Sequence, residues 1–134
     1  MPPEDVFVAE RTLRVRYAET DSMRIVHHSN YIAYFEEGRS EYARQKGTPY
    51  GSFEEEGFFL VVTEVSARYS KAAYYEQLIT IRTWVSDMKS RGMTFSYEVI
   101  DSDSGEVLVT GSSKHICTTR EGRPTKIPQS WRAW

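Results

Sequence analysis

Helical periodicity occurs once in this chain, over residues 30–46, and that restricts the fold more than any other feature. Tyr31, Tyr34, Phe35, Gly38 and Tyr42 share one helical face, while Glu37, Glu41 and Arg44 fall on another. Ile32 and Ala33 widen the apolar surface over the first turns, which predicts a helix gripped on most sides. Ser29 or Asn30 is placed to cap its start, and Gly47 followed by Pro49 to end it. At about 1.5 Å per residue such a helix is about 25 Å long, enough to cross a sheet. Gly38 in its middle costs about 1 kcal/mol of helix propensity, so a neighbour is expected to pack close against the backbone there.

The remaining signals are strands. Residues 7–17 alternate, with Leu13, Val15 and Tyr17 set against Thr12, Arg14 and Arg16. Residues 48–57, with three consecutive glutamates, read as a solvated loop. The run from Phe59 to Val65 is nearly all apolar at its start, which predicts burial on both faces. Residues 78–85 and 93–99 follow as strands, then a hairpin loop at 101–105 and a return strand at 107–118. The tail to Trp134 either docks through Ile127 and Trp131 or stays loose. The expected fold is α+β, one long helix against an antiparallel sheet of about five strands. A ferredoxin-like arrangement needs a second crossover helix, and none is available. One helix covers one face of such a sheet, so a symmetric homodimer is expected to cover more.

Charge and composition narrow the chemistry. With 134 residues the chain makes one domain, residues 1–134, with enough length for a real core. Seventeen basic against 19 acidic residues leave a net charge of −2, no general pull towards nucleic acid or anionic membrane. No apolar run approaches the roughly 20 residues of a membrane span. The single Cys117 cannot form an internal disulfide, and Met-Pro-Pro-Glu-Asp has no basic, apolar leader. The expectation is a cytoplasmic protein.

The candidate chemistry lies just before the helix. Asp21 sits in a loop a few residues ahead of His27 and His28, and a helix start offers unpaired N–H groups at the positive end of a dipole. A carboxylate beside such a start can drive attack on a carbonyl whose oxyanion the amides hold. On spacing alone, an aspartate in Thr-Asp-Ser is more simply a turn residue. Adjacent histidines lack the i, i+4 spacing of a zinc helix, and no cysteine is near, so no metal is expected.

The wider pattern carries more. Arg16-Tyr17-x-x-Thr20-Asp21-x-Met23-x-x-Val26-x-His28-x-x-Tyr31, then Phe35-Glu36-x-x-Arg39, resembles the signature of hotdog-fold acyl-CoA thioesterases. The nearest branch is the 4-hydroxybenzoyl-CoA thioesterase-like one, including the thioesterases associated with the Tol-Pal system. Arg123-Pro124-x-x-Ile127-Pro128 is similar to the segment that closes the last strand in that branch. The resemblance implies a helix wrapped by the sheet, a dimer joined edge to edge, often a dimer of dimers, and active sites at the dimer interface. It implies that Asp21 is the catalytic base or nucleophile and that the His28 backbone N–H polarises the thioester carbonyl. Tyr17, His27 and Tyr31, within the same motif, are expected to contact substrate. Arg24 stands where the family commonly has glycine, and His27 where it commonly has an aromatic residue, which bears on substrate range.

The expected function is hydrolysis of an acyl-CoA to free acid and CoA, with CoA entering as substrate and no further cofactor. A thioester leaves readily, so a carboxylate and oxyanion donors suffice without a serine triad. A non-catalytic acyl-CoA sensor or carrier on the same scaffold is the alternative. Lys89 and Arg91 lie at the turn that the family uses to hold CoA phosphates, although ordinary solvated charges are an equally good reading. Glu36 and Arg39, at i and i+3, most simply pair with each other; Glu64 reads as a surface ion-pair partner. His115 reads as an interior or interface histidine, and Cys117 has no activating base nearby.

Overall fold

The computed structural model describes residues 2–134. Its elements run β1 (Ala9–Arg14), α1 (Asn30–Gln45), α2 (Tyr50–Glu55), β2 (Phe58–Tyr69), β3 (Leu78–Met88), β4 (Gly92–Asp101) and β5 (Val107–Thr119). Short 3₁₀ turns lie at Tyr17–Glu19 and Gln129–Trp131. The strands form one antiparallel sheet in the order β1-β3-β4-β5-β2, with α1 laid on one face. This is the hotdog arrangement.

α1 buries the predicted face: Tyr31, Tyr34, Phe35, Gly38 and Tyr42, joined by Arg39 and Ala43. Ile32 and Ala33 are exposed, so the sheet grips one side of the helix rather than most of it. A methyl group at Gly38 would overlap the Thr83 hydroxyl and press on Ile81, both on β3. The absent side chain is what lets α1 sit this close to the sheet. On β5, Gly111 leaves room for the Phe35 ring, which stacks on Tyr97 with centroids 4.4 Å apart.

Four further expectations change. Residues 50–55 are helical because Phe53 turns inward against Trp131 and Phe58, while Glu54 and Glu55 stay in water. That burial is tertiary, and no local periodicity announces it. β2 is an edge strand, and Val61, Val62 and Val65 are about two-fifths exposed. Apolar residues mark a strand, but nothing in their order says whether a neighbour pairs outside it. β1 stops at Arg14, and the Tyr17 side chain is 73% exposed rather than inward. Neither Ser29 nor Asn30 caps α1 with its side chain; Asn30 instead donates to the Glu19 carbonyl. The tail does dock, with Ile127 and Trp131 buried and Trp134 Nε1 donating to the Thr48 hydroxyl at 2.8 Å.

Candidate active site

The segment between β1 and α1 forms a tight tab. Asp21 N–H donates to the Ile25 carbonyl and Arg24 N–H to the Asp21 carbonyl, both at 2.9 Å. Val26 N–H reaches the Ala73 carbonyl, and Tyr75 N–H the Arg24 carbonyl, tying the tab to the β2–β3 connection. Arg24 closes the turn at φ 65°, left-handed backbone that glycine adopts without strain. Its side chain is exposed and does not line the cavity below.

Glu19 fastens the tab to the helix. Its carboxylate accepts the Tyr34 hydroxyl at 2.9 Å and the Arg16 guanidinium at 3.0 Å, and its carbonyl accepts the His27 N–H and the Asn30 amide. Burial, then the Glu19 contact, pushes the Tyr34 phenol strongly upward, so it remains a donor. The i, i+3 spacing of Arg16 and Glu19 was the only sequence signal for this anchor.

Asp21, His28 and Tyr31 line one cavity of about 300 Å³ with Ile25, Val26 and Tyr69. Asp21 Oδ1 accepts the Met23 N–H at 2.8 Å, the turn bond that its loop setting suggested. Among the described residues nothing donates to Oδ2, and nothing accepts the His28 N–H. The His28 carbonyl accepts the Tyr69 hydroxyl at 3.1 Å, which steadies the peptide at the helix entrance. The Tyr69 ring also packs on Tyr31, centroids 5.4 Å apart. Burial raises the Tyr31 phenol above its usual value, keeping it protonated at neutral pH. Tyr69, 41 residues beyond His28, could not have been placed here from the sequence.

The other candidates stand elsewhere in the protomer. Tyr17 points outward with its ring edge-on to Tyr75. His27 is exposed, its ring 4.2 Å from that of His28 and its Nδ1 bonded to the Ser29 hydroxyl. Lys89 and Arg91 border a separate cavity of about 320 Å³ at the β3–β4 turn. Glu64 pairs with Lys114 at 3.3 Å on the surface. Among the described residues no group of three His, Cys, Asp or Glu side chains is placed to hold a metal ion, and no helix is long and apolar enough to cross a membrane.

An aspartate and a helix-entrance residue lining one cavity suit acyl transfer to water. Over residues 15–134 the sequence matches the thioesterase-like superfamily. The chain belongs to that family. It is 30% identical over 128 residues to a putative acyl-CoA thioesterase, YneP, of Bacillus subtilis, covering 95% of this chain and 92% of the relative. It is 26% identical to the acyl-CoA thioester hydrolase YbgC of Escherichia coli O157:H7, covering 88% of each. The structure is similar to that of a DHNA-CoA thioesterase from Staphylococcus aureus, with TM-score 0.85, 30% identity, and coverage of 89% of this chain and 80% of that one. Thioesterase family and hotdog fold agree with the reading of the sequence motif. This is an enzyme of the thioester-hydrolase class.

Proposed function

We propose that this thioesterase hydrolyses an acyl-CoA, with Asp21 acting on the thioester carbon and the His28 N–H holding the oxyanion. The supporting observation is that Asp21 and His28 line the same cavity while, among the described residues, Asp21 Oδ2 has no donor and the His28 N–H no acceptor. Asp21 either takes a proton from the attacking water or attacks directly to form an anhydride that water then opens. On both routes the C–S bond breaks, the thiolate leaves as CoA thiol after protonation, and the acyl group departs as a carboxylate. One turnover in H₂¹⁸O separates them: the direct route leaves label in Asp21 when water opens the anhydride at the Asp21 carbonyl.

Lys89 and Arg91 enter this reading through a second copy of the chain. β2 is a long, apolar, unpaired edge; Tyr69 at one end touches His28, while Val61 at the other lies level with Gly92 through Ile116 of β5. Those two levels are about 26 Å apart at about 3.3 Å per residue. Antiparallel pairing of two β2 strands about their middle sets the Phe58 end of one protomer against the Tyr69 end of its partner. The β3–β4 turn of each protomer then stands near the Asp21 cavity of the other, where its cations meet the CoA phosphates. The exposed Val61, Val62 and Val65 favour this edge over β1, which is short and carries Glu10, Arg11 and Arg14. The single buried thiol, Cys117, goes with a cytoplasmic location.

Release of free thiol from a panel of acyl-CoAs tests the activity, run beside Asp21→Ala. Turnover that survives the exchange removes Asp21 from the chemistry, and binding of acyl-CoA without turnover by the unaltered protein identifies a sensor or carrier instead. Lys89→Ala with Arg91→Ala is expected to raise KM for the CoA ester more than it lowers kcat.

A further inference from the structure

A third cavity, of about 280 Å³, opens two turns further along α1, between that helix, α2 and the start of β2. Arg39, Tyr50 and His115 border it with Phe53, Phe59 and Leu60; it shares no lining residue with the Asp21 cavity, and only His115 with the Lys89–Arg91 cavity. Arg39 and His115 are 9% and 3% exposed. Two polar atoms here are buried without a hydrogen-bond partner among the described residues: Tyr50 Oη and His115 Nδ1. Leaving such atoms unpaired is unfavourable, so each calls for an explanation.

The hydrogen-bond chain behind the cavity decides what these atoms offer. Arg39 Nη1 can only donate, and it donates to the Tyr97 hydroxyl at 3.1 Å. Tyr97 and the Ser113 hydroxyl are 2.5 Å apart, and Ser113 is 2.7 Å from His115 Nε2. Only one order of protons gives every donor in the chain an acceptor. Tyr97 donates to Ser113, and Ser113 donates to Nε2. His115 Nε2 is then an acceptor, so the neutral ring carries its proton on Nδ1. Burial, with the Arg39 charge adding and the Leu60 backbone opposing, lowers His115 to about 4, which leaves the ring neutral at physiological pH. Burial pushes the Tyr50 phenol upward, so it also keeps its proton. The buried polar groups at the cavity are therefore donors: Nδ1–H, the phenol O–H and the guanidinium N–H groups of Arg39. Two acids, Glu36 and Glu54, also line the cavity; both are exposed to solvent, and Glu36 lies 3.8 Å from Arg39.

We propose that this cavity binds a small carboxylic acid with an apolar body, its carboxylate taken by Arg39, Tyr50 Oη and His115 Nδ1. The aromatic and aliphatic walls from Phe53, Phe59 and Leu60 hold the rest of the ligand. An incoming carboxylate takes the place of the exposed Glu36 on the solvent side of Arg39. The inference does not rest on thioester hydrolysis and stands or falls separately from it.

Calorimetric titration of the whole protein with benzoate, beside benzamide, tests the proposal, with NMR shifts locating the ligand. The expected result is saturable benzoate binding, with shifts at Tyr50 and His115, that benzamide does not match. Tyr50→Phe, which removes only an unpartnered hydroxyl and so keeps the fold, is expected to weaken benzoate about tenfold, the loss of one hydrogen bond to a charged acceptor. Asp21→Asn is expected to leave benzoate binding unchanged. The ¹⁵N shifts of His115 should report a proton on Nδ1. Absence of saturable binding, equal binding of benzamide, shifts confined to His28 and Tyr31, or a proton on Nε2 would each overturn the assignment.

Discussion

At the entrance to α1 the polar groups are half-open to water, whereas two turns on they are sealed between helix and sheet. Asp21, His28 and Tyr69 meet on loop and strand-end positions and, among the described residues, keep one oxygen and one amide unengaged. Arg39, Tyr97, Ser113 and His115 come from the helix, β4 and β5, and three hydrogen bonds join them in series. The contrast teaches what each end can do. A group that must meet a changing substrate needs a vacant lone pair or proton, and the loop tolerates that because water satisfies it between turnovers. A buried group without water needs a full set of partners, so the inner cluster contributes to stability, and its two unpartnered atoms mark where a ligand fits.

The sharpest way to break this comparison is to remove reactivity from the open end. Asp21→Asn retains the acceptor for Met23 N–H but not the basic oxygen, so kcat should fall by about 10²–10⁴-fold while the urea midpoint stays put. A drop in stability matching the drop in rate would make Asp21 a structural turn residue.

The sealed end should answer to pH instead. His115 is depressed to about 4 when folded, against about 6.5 unfolded, so the unfolded chain takes up the proton first. The stability held by the neutral ring is complete above pH 6.5 and is lost as pH falls towards 4, by about 3 kcal/mol at most. Urea unfolding between pH 4 and 7 should show this slope, and His115→Gln should flatten it. Equal slopes in the two proteins would mean that the buried ring does not govern acid sensitivity.

A smaller effect is expected where strand and helix entrance meet. Tyr69→Phe removes the hydroxyl from the His28 carbonyl and should lower kcat/KM several-fold, about 1 kcal/mol, with the fold intact. No change in kcat/KM would show that the peptide is steady without it. The smallest effect has the opposite sign. Arg24→Gly relieves the left-handed backbone and should add about 0.5–1 kcal/mol of thermal stability without altering turnover, since the side chain is exposed outside the cavity. A change in acyl preference would mean that Arg24 reaches the substrate after all.

Much of this architecture can be read in the residues themselves. The helical face from Tyr31 to Tyr42 and the alternation in β4 follow from periods of 3.6 and 2, which backbone geometry imposes whatever the surroundings. The grouping of Asp21, His28 and Tyr31 was legible for a related reason: ten residues of connected chain cannot stray far from one another. Tyr69 and the pairing of Arg39 with Tyr97 were not legible, because those contacts span 41 and 58 positions and depend on where whole strands land. Arg39 does lie beside Glu36, as its spacing suggested, yet its shorter bond runs inward. The inward turn of Phe53 was invisible for the same cause, since its partner Trp131 arrives from the other end of the chain.

By itself, then, the order of residues determined one helix, the strands that follow it, and a carboxylate poised at the helix entrance, since each is a matter of neighbours along the backbone. Only the tertiary structure decided that β2 lies at an edge, that Tyr97, Ser113 and His115 join in one buried hydrogen-bonded series, and that Lys89 and Arg91 stand away from Asp21 within one protomer. Those outcomes rest on which distant surfaces exclude water together, a property of the packed whole that no local pattern encodes.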